Sequence, residues 1–186
     1  EITIDAFVPR GGAIDVSAFT RAAPAVAEAN AAMAAPFELA QRIDDDDLFA
    51  PVSGPITEFT SLVADMQDLL AGFEVATRIA PAMLGEGGQR SYLLLSLNPA
   101  ELRSAGGVPG AVTRIVAENG RLTIAEQLSA SDLGMFEPPV AELTDAERAL
   151  FSTLPARFLQ DVTLVPDFGR AAELARTMWH ARGLPP

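Results

Sequence analysis

Apolar residues recur at helical spacing over two long segments in the first half of the chain. From Ser17 onward they lie broadly on one side of a helix that either Asp15 or Ser17 can cap, and Pro36 is expected to interrupt it. In the second segment, from near Ile56 to Pro81, the apolar positions follow one another at steps of three and four residues. Such a stripe has to be buried, so we predict that the two helices form an antiparallel hairpin.

The pattern changes after the glycine-rich break at residues 85–88. Residues 91–97 form a short apolar run that is too brief for a helix and predicts a buried strand. Two further runs flank Asn119-Gly120, the dipeptide most typical of a tight β-hairpin. We therefore expect an antiparallel hairpin around this dipeptide.

Local signals also mark elements in the last third of the chain. Thr144 and Glu147 have the spacing of a capping box, which predicts a short helix that begins at the next residue and ends near Leu154. Residues 162–165 are interpreted as a strand. Asp167 is expected to cap a helix that continues to about residue 182.

These elements predict an α+β fold. A helical hairpin is expected over residues 1–88, and a small mixed or antiparallel sheet with flanking helices over residues 89–186. We expect this second region to be incomplete, with a further strand beyond Pro186.

Composition narrows the function classes. A net charge of −12 argues against nucleic-acid binding, which needs a cationic surface. Cys is absent from the sequence, so disulfides, thiol catalysis and thiolate metal sites are excluded. No phosphate-loop or dinucleotide-binding pattern occurs, so no cofactor is predicted.

The segment 98–110 is the richest in potential ligand-binding groups, because it places polar side chains and glycines directly after a predicted buried strand. Paired glycines let a backbone approach a ligand, and arginine suits carboxylate or phosphate. The ligand-binding candidates are Asn98, Glu101, Arg103, Gly106, Gly107, Arg90 and Arg114. A structural role is the alternative: Glu101 and Arg103 could pair, Asn98 could cap a turn, and the glycines could reverse the chain.

Two other features are interpreted without a specific ligand. The run Asp44-Asp45-Asp46-Asp47 lacks the alternating ligand spacing of a calcium-binding loop and is interpreted as a solvated acidic loop, with weak calcium binding as the alternative. His180 is the sole histidine and is interpreted as an ordinary surface or interface residue. No metal site is predicted, and no catalytic residue is assigned.

Residues 90–110 resemble the centre of the bacterial family known as domain of unknown function 4012. The resemblance rests on Arg90, Tyr92, the leucines at 93–95, Asn98, Glu101-Leu102-Arg103 and Gly106-Gly107. It extends to residues 81–85, to Asn119-Gly120 and to residues 161–168 and 171–175. Relatives often have a second Asn where this chain has Pro99, so a role for that second amide is not implied here.

The resemblance implies an exported protein with a membrane anchor upstream of Glu1, of a kind found in actinobacteria and other Gram-positive bacteria and sometimes encoded near exopolysaccharide genes. Because the family has no agreed catalytic residues, none is transferred to this chain. The leading hypothesis is an extracytoplasmic cell-envelope module that binds a glycan, a polymer precursor or a protein partner. The alternatives are an enzyme acting on lipid-linked cell-wall or exopolysaccharide polymers, loosely like the LytR-CpsA-Psr phosphotransferases, and a purely structural spacer.

Overall fold

The computed structural model describes residues 7–42 and 50–186, and for residues 50–52 it describes the backbone alone. The described chain divides into two compact units. The first consists of Glu1–Arg90 with Glu118–Arg121, and the second of Ser91–Ala117 with Leu122–Pro186. Whether residues 1–88 and 89–186 are separate domains stays a prediction, and the run Asp44 to Asp47 lies outside the described residues.

Two long helices dominate the first unit. Helix α1 spans Val16–Gln41. Of the two predicted caps, Asp15 is confirmed, because its side chain accepts a hydrogen bond from the Ser17 amide. The predicted interruption near Pro36 is wrong: α1 continues through it, because one proline removes only one backbone hydrogen bond while the alanine-rich neighbours favour helix. Helix α2 spans Ala50–Met83, so it starts earlier and ends later than predicted.

Helices α1 and α2 pack against each other in opposite directions. Phe7 makes edge-to-face contacts with Phe19, early in α1, and with Phe73, late in α2, at centroid distances of 4.9 and 5.2 Å. Asn30, later in α1, accepts a 2.9 Å hydrogen bond from Gln67, which precedes Phe73 in α2. Only eight residues connect the end of α1 to the start of α2, too few to run back along a 26-residue helix, so the two packed helices have opposite directions and the antiparallel helical hairpin is confirmed.

A three-stranded antiparallel sheet follows, in the order β1-β2-β3. The strands span Arg90–Asn98, Val108–Glu118 and Arg121–Ser129, so β1 forms one edge of the sheet. Asn119 and Gly120 both have positive φ angles, 48° and 81°, which confirms the predicted tight hairpin between β2 and β3. The tip of this hairpin belongs to the first unit: the Ile14 amide donates to the Gly120 carbonyl (3.0 Å), and the Gly120 amide donates to the Leu84 carbonyl (2.8 Å).

The remaining elements are helical. Helix α3 spans Asp145–Phe151 with the predicted capping box, two 3₁₀ helices span Leu154–Ala156 and Leu159–Leu164, and helix α4 spans Phe168–Ala181. The predicted strand at residues 162–165 is wrong. Leu159, Val162 and Val165 are all buried, and their spacing of three residues matches the 3₁₀ period, so this turn directs all three into the core.

The core of the second unit centres on α4. Leu174, Met178 and Trp179 are almost completely buried there, together with Leu133 and Val112. The Trp179 Nε1–H donates to the Pro185 carbonyl at 2.6 Å, so the one polar atom of this ring is satisfied. Within the described residues, the hydropathy and length of the helices do not reach what a membrane crossing requires.

Candidate functional site

The loop after β1 is held in place by its own side chains. The Asn98 Oδ1 accepts a hydrogen bond from the Ala100 amide at 3.1 Å, and the Asn98 Nδ2 lies 3.4 Å from Glu101. Asn98 therefore stabilises a local turn, as the structural interpretation predicted.

The two glycines close this loop. Gly106 has a φ of +108°, and a Cβ at Gly107 would lie 2.5 Å from the Asn98 carbonyl oxygen. Thr163 ties the same segment to the second 3₁₀ helix: its hydroxyl donates to the Gly107 carbonyl (2.7 Å), and its carbonyl accepts from the Ala105 amide (3.1 Å). Both glycines thus meet a structural requirement.

Arg103 contacts Asp161 and not Glu101. One guanidinium nitrogen lies 3.8 Å from the Asp161 carboxylate, while the Arg103 Nε is buried and has no hydrogen-bond partner among the described residues. Burial raises the pKa of Asp161, and the positive charge of Arg103 offsets part of this effect. The pair is loosely joined, because 3.8 Å exceeds a direct hydrogen bond.

Arg114 is buried within the sheet, and each of its three guanidinium nitrogens donates a hydrogen bond. It forms an ion pair with Glu126 across β2 and β3, and also donates to the Ser91 hydroxyl (3.3 Å) and the Pro186 carbonyl (3.1 Å). The hydrogen bond from Arg114 holds the pKa of Glu126 below its usual value. These contacts indicate that Arg114 stabilises the fold.

The predicted arginines have separate partners. Arg114 lies at the Ser91 end of β1, whereas Arg103 lies in the connection after Asn98, and seven residues of strand separate these two ends by about 23 Å. Arg90 belongs to the first unit, where its Nε contacts the Ala82 carbonyl at 3.3 Å. The ligand-binding role of these residues and of the loop stays a prediction.

An apolar groove lies between β1 and α4 within the second unit. Its volume is about 570 Å³, which is in the range of small-molecule sites. Residues 91–95 of β1 form one wall, and Ala172, Ala175 and Trp179 of α4 form the other, with Phe168 and Pro186 also contributing. The lining is mainly hydrocarbon, so the groove suits an apolar chain.

Two polar side chains of α4 stand at this groove. Arg176 and His180 are one helical turn apart, both are exposed, and neither side chain has a hydrogen bond or ion pair with the described residues. His180 was predicted to be an ordinary surface or interface residue, and no role was predicted for Arg176. The spacing of Ala172, Arg176 and His180 at intervals of four residues is the signal that marks this face of α4.

Within the described part of the chain, no group of three or more His, Asp or Glu side chains is arranged so that it could hold a metal ion.

The fold is thus an α+β arrangement that carries an apolar groove beside an edge strand. The family described as protein of unknown function (DUF4012) matches residues 87–185, and the chain belongs to this family. The matched segment contains the loop after β1 and the residues of the β1–α4 groove other than Pro186. No curated protein and no solved structure matches the chain.

Proposed function

We propose that this protein is a non-catalytic binding module of the cell envelope, which holds the hydrocarbon part of an anionic amphiphile in the β1–α4 groove. A lipid-linked polymer precursor has this chemistry: an apolar chain joined to phosphate or pyrophosphate. The proposal places the module outside the cytoplasmic membrane, anchored through a segment upstream.

The observation that carries the proposal is the combination of an apolar groove with an unpaired arginine at its edge. Burial of a hydrocarbon chain contributes roughly 25 cal/mol per Å² of apolar area removed from water. Arg176 offers a fixed positive charge to the anionic group, and His180 adds a second donor one turn away. The apolar groove therefore matches the hydrocarbon chain of an amphiphile, and Arg176 with His180 matches its anionic group.

A glycan fits the groove less well than a precursor. Sugar binding relies on exposed aromatic faces together with several hydrogen-bonding side chains. Trp179 is only 1% exposed and its Nε1–H is already bonded to Pro185, and Phe168, which is 58% exposed, has no hydrogen-bonding group. The groove wall is mainly Leu, Ala and Phe carbon. Of the three ligand classes considered, a free glycan is therefore the weakest candidate for this site.

A protein strand is the second candidate, and the edge position of β1 favours it. β1 is nine residues long, carries neither Lys nor Pro, and exposes half of the Leu94 side chain. Such an edge can pair with an added strand through main-chain hydrogen bonds. That ligand would depend on the backbone of β1 and only weakly on Arg176.

The enzyme alternative remains a prediction about the same ligand class. Pyrophosphate chemistry needs groups that stabilise charge where a bond breaks. Arg103 lies beside Asp161, whose pKa burial raises, but Arg103 is in the loop after Asn98, at the end of β1 opposite to Ser91, which lines the groove. Turnover of a lipid-linked precursor that a point substitution abolishes would replace the binding-module proposal.

The test measures binding of farnesyl pyrophosphate to the full 186-residue chain, with farnesol and inorganic pyrophosphate as partial ligands. We expect Arg176→Gln to weaken binding of farnesyl pyrophosphate about fivefold to tenfold and to leave farnesol unchanged. Ala172→Phe should fill the groove and weaken both. Arg42→Gln, at an exposed arginine of the first unit, is the matched control.

Two results would overturn the groove assignment. If Arg176→Gln and Ala172→Phe both leave binding unchanged, the ligand does not occupy the groove. If Arg103→Ala alone weakens binding, the anionic group binds the loop after β1, and the site predicted from the sequence is the correct one.

A further inference from the structure

One side of α2 carries a row of apolar residues. Those before Phe73 are largely exposed, whereas Phe73 itself contacts Phe7. The residues of this row follow alternating steps of three and four residues, which is the spacing of a coiled-coil seam. We call this set the α2 stripe: Phe59, Leu62, Met66, Leu69, Phe73 and Ala76. Its first four side chains are 43–73% exposed, with Leu69 the highest.

The α2 stripe is distinct from the side of α2 that packs on α1. Val63 and Thr77 are buried, and Gln67 and Glu74 bond to Asn30 of α1, so these four residues define the α1-facing side. At 100° per residue, the α2 stripe is centred about a quarter turn away from that side. The side of α2 that faces α1 is therefore partly polar, while the apolar α2 stripe is in contact with water over its first four residues.

Acidic residues flank the α2 stripe. Glu58 and Asp65 each precede a stripe residue directly and are seven residues apart, so they lie along the same border. Between residues 53 and 77, α2 carries four acidic residues and no basic one. A partner with positive charges beside its apolar surface would be attracted to this acidic border and would bind more tightly.

A second copy of this chain does not offer positive flanks to the α2 stripe. Antiparallel pairing of two α2 helices would bring the acidic borders together, and parallel pairing would place them against the side that α1 already covers. Helix α4 of a second copy carries basic residues, but it cannot dock on the α2 stripe, because its apolar face is buried in the core of the second unit.

We propose that the α2 stripe docks an amphipathic helix of a partner protein, one that carries a heptad apolar seam flanked by Arg or Lys. The seam inserts between Phe59, Leu62, Met66 and Leu69, and the basic flank faces Glu58 and Asp65. This interaction is separate from the ligand proposed for the β1–α4 groove and stands without it.

The experiment uses the full chain and three synthetic helices of four heptads. The first has Leu and Ile in the seam with Lys on both flanks, the second has the same seam with Glu flanks, and the third has Lys flanks with Gln in the seam. We expect the first to bind at least tenfold more tightly than either of the others, as measured by fluorescence anisotropy.

Matched variants separate docking from general attraction to an acidic protein. Leu62→Gln with Leu69→Gln should weaken binding of the first helix at least tenfold, whereas Leu150→Gln, at an equally exposed leucine of α3, should not. Glu58→Gln with Asp65→Asn should weaken it severalfold, whereas Asp68→Asn, on the other side of α2, should have little effect. The variants replace exposed residues, so circular dichroism should show an unchanged fold.

Three outcomes would overturn the proposal. Equal binding of the Lys-flanked and Glu-flanked helices would show that basic flanks are not needed for docking. Sedimentation that shows a dimer of the wild type, lost in Leu69→Gln, would assign the α2 stripe to a second copy. Binding of the wild type but not of Leu69→Gln to anionic phospholipid vesicles would assign it to a membrane surface.

Discussion

Helices α2 and α4 both carry apolar side chains at helical spacing, yet they differ in what covers them. In α4, Leu174 and Met178 are completely buried, and the acidic and basic residues lie on the opposite side. In α2, Leu69 is 73% exposed and Leu62 is exposed by more than half. Apolar periodicity therefore identifies a helix and its sides, but only tertiary packing decides which side is removed from water.

The largest predicted difference concerns the leucines of these two helices. Leu174→Ala should lower the free energy of unfolding of the second unit by about 2–5 kcal/mol, because it leaves a cavity in a closed core. Leu69→Ala should change the stability of the first unit by less than about 0.5 kcal/mol, because the side chain is already in water.

Urea titration can follow the two units separately. The single Trp and single Tyr, Trp179 and Tyr92, both lie in the second unit, so their fluorescence reports that unit, while far-ultraviolet circular dichroism reports mainly α1 and α2. A loss above about 1.5 kcal/mol for Leu69→Ala would mean that the α2 stripe is already covered in the free protein.

Loss of a buried polar contact should likewise lower the free energy of unfolding more than loss of a half-buried one, although both effects are smaller than that of Leu174→Ala. Thr163 is completely buried, and Thr163→Val would leave the Gly107 carbonyl without its donor, so we expect a loss of about 1–3 kcal/mol. Asn30→Ala removes a half-buried contact between α1 and α2, and water can replace it at a cost of about 1 kcal/mol or less. A larger effect for Asn30→Ala in the same urea titrations would reverse this ordering.

The pH dependence of the second unit should include a contribution from Glu147, which caps α3 and pairs with Arg170 of α4 at 3.2 Å. Burial acts to raise the pKa of Glu147, but hydrogen bonds from the Thr144 backbone and from Arg170 outweigh it, so the pKa lies below its usual value. The stabilisation is therefore present above the unfolded-state pKa and is lost as pH falls through the lower pKa of the folded state.

We expect Glu147→Gln to cost about 0.5–1 kcal/mol at pH 7, because Gln keeps the cap but loses the charge. The difference from the wild type should disappear in acid. Asp15→Asn is the counterpart in the first unit, and it should have a smaller effect because Asp15 is exposed and Asn caps equally well. A Glu147→Gln penalty that persists unchanged in acid would contradict the electrostatic explanation.

The smallest expected effect is a change in the titration of Asp161. Arg103→Ala should raise the pKa of Asp161 further, because burial already raises it and the arginine charge is the effect that opposes burial. Carboxyl-carbon NMR titration measures this directly, with Glu101→Gln as the control. An unchanged pKa in Arg103→Ala would show that the 3.8 Å contact is not maintained in solution.

Elements that depend on neighbouring residues were predictable from the sequence. The capping box of Thr144 and Glu147 and the Asn119-Gly120 hairpin each follow from residues one to three positions apart. The second 3₁₀ helix was missed, because a short run of apolar residues has no period that separates a strand from a tight helical turn.

The candidate site shows the same limit. The local turn at Asn98 was predicted correctly as an alternative, because its partner Ala100 is two residues away. The β1–α4 groove was not predicted, because its walls come from residues 91–95 and from residues more than 70 positions further along the chain. The partner of Arg103, Asp161, is likewise distant in sequence and could be found only from the fold.

The tip of the β2–β3 hairpin makes the two units inseparable by a single cut. Excision of the family segment, residues 87–185, would carry Gly120 away from Ile14 and Leu84, the two residues that bond its backbone. Exchange of the helical hairpin between relatives would likewise have to transfer two separate stretches of chain, residues 1–90 and 118–121. For recombination and for protein engineering, the natural portion to move is therefore the whole of both units and not the segment that defines the family.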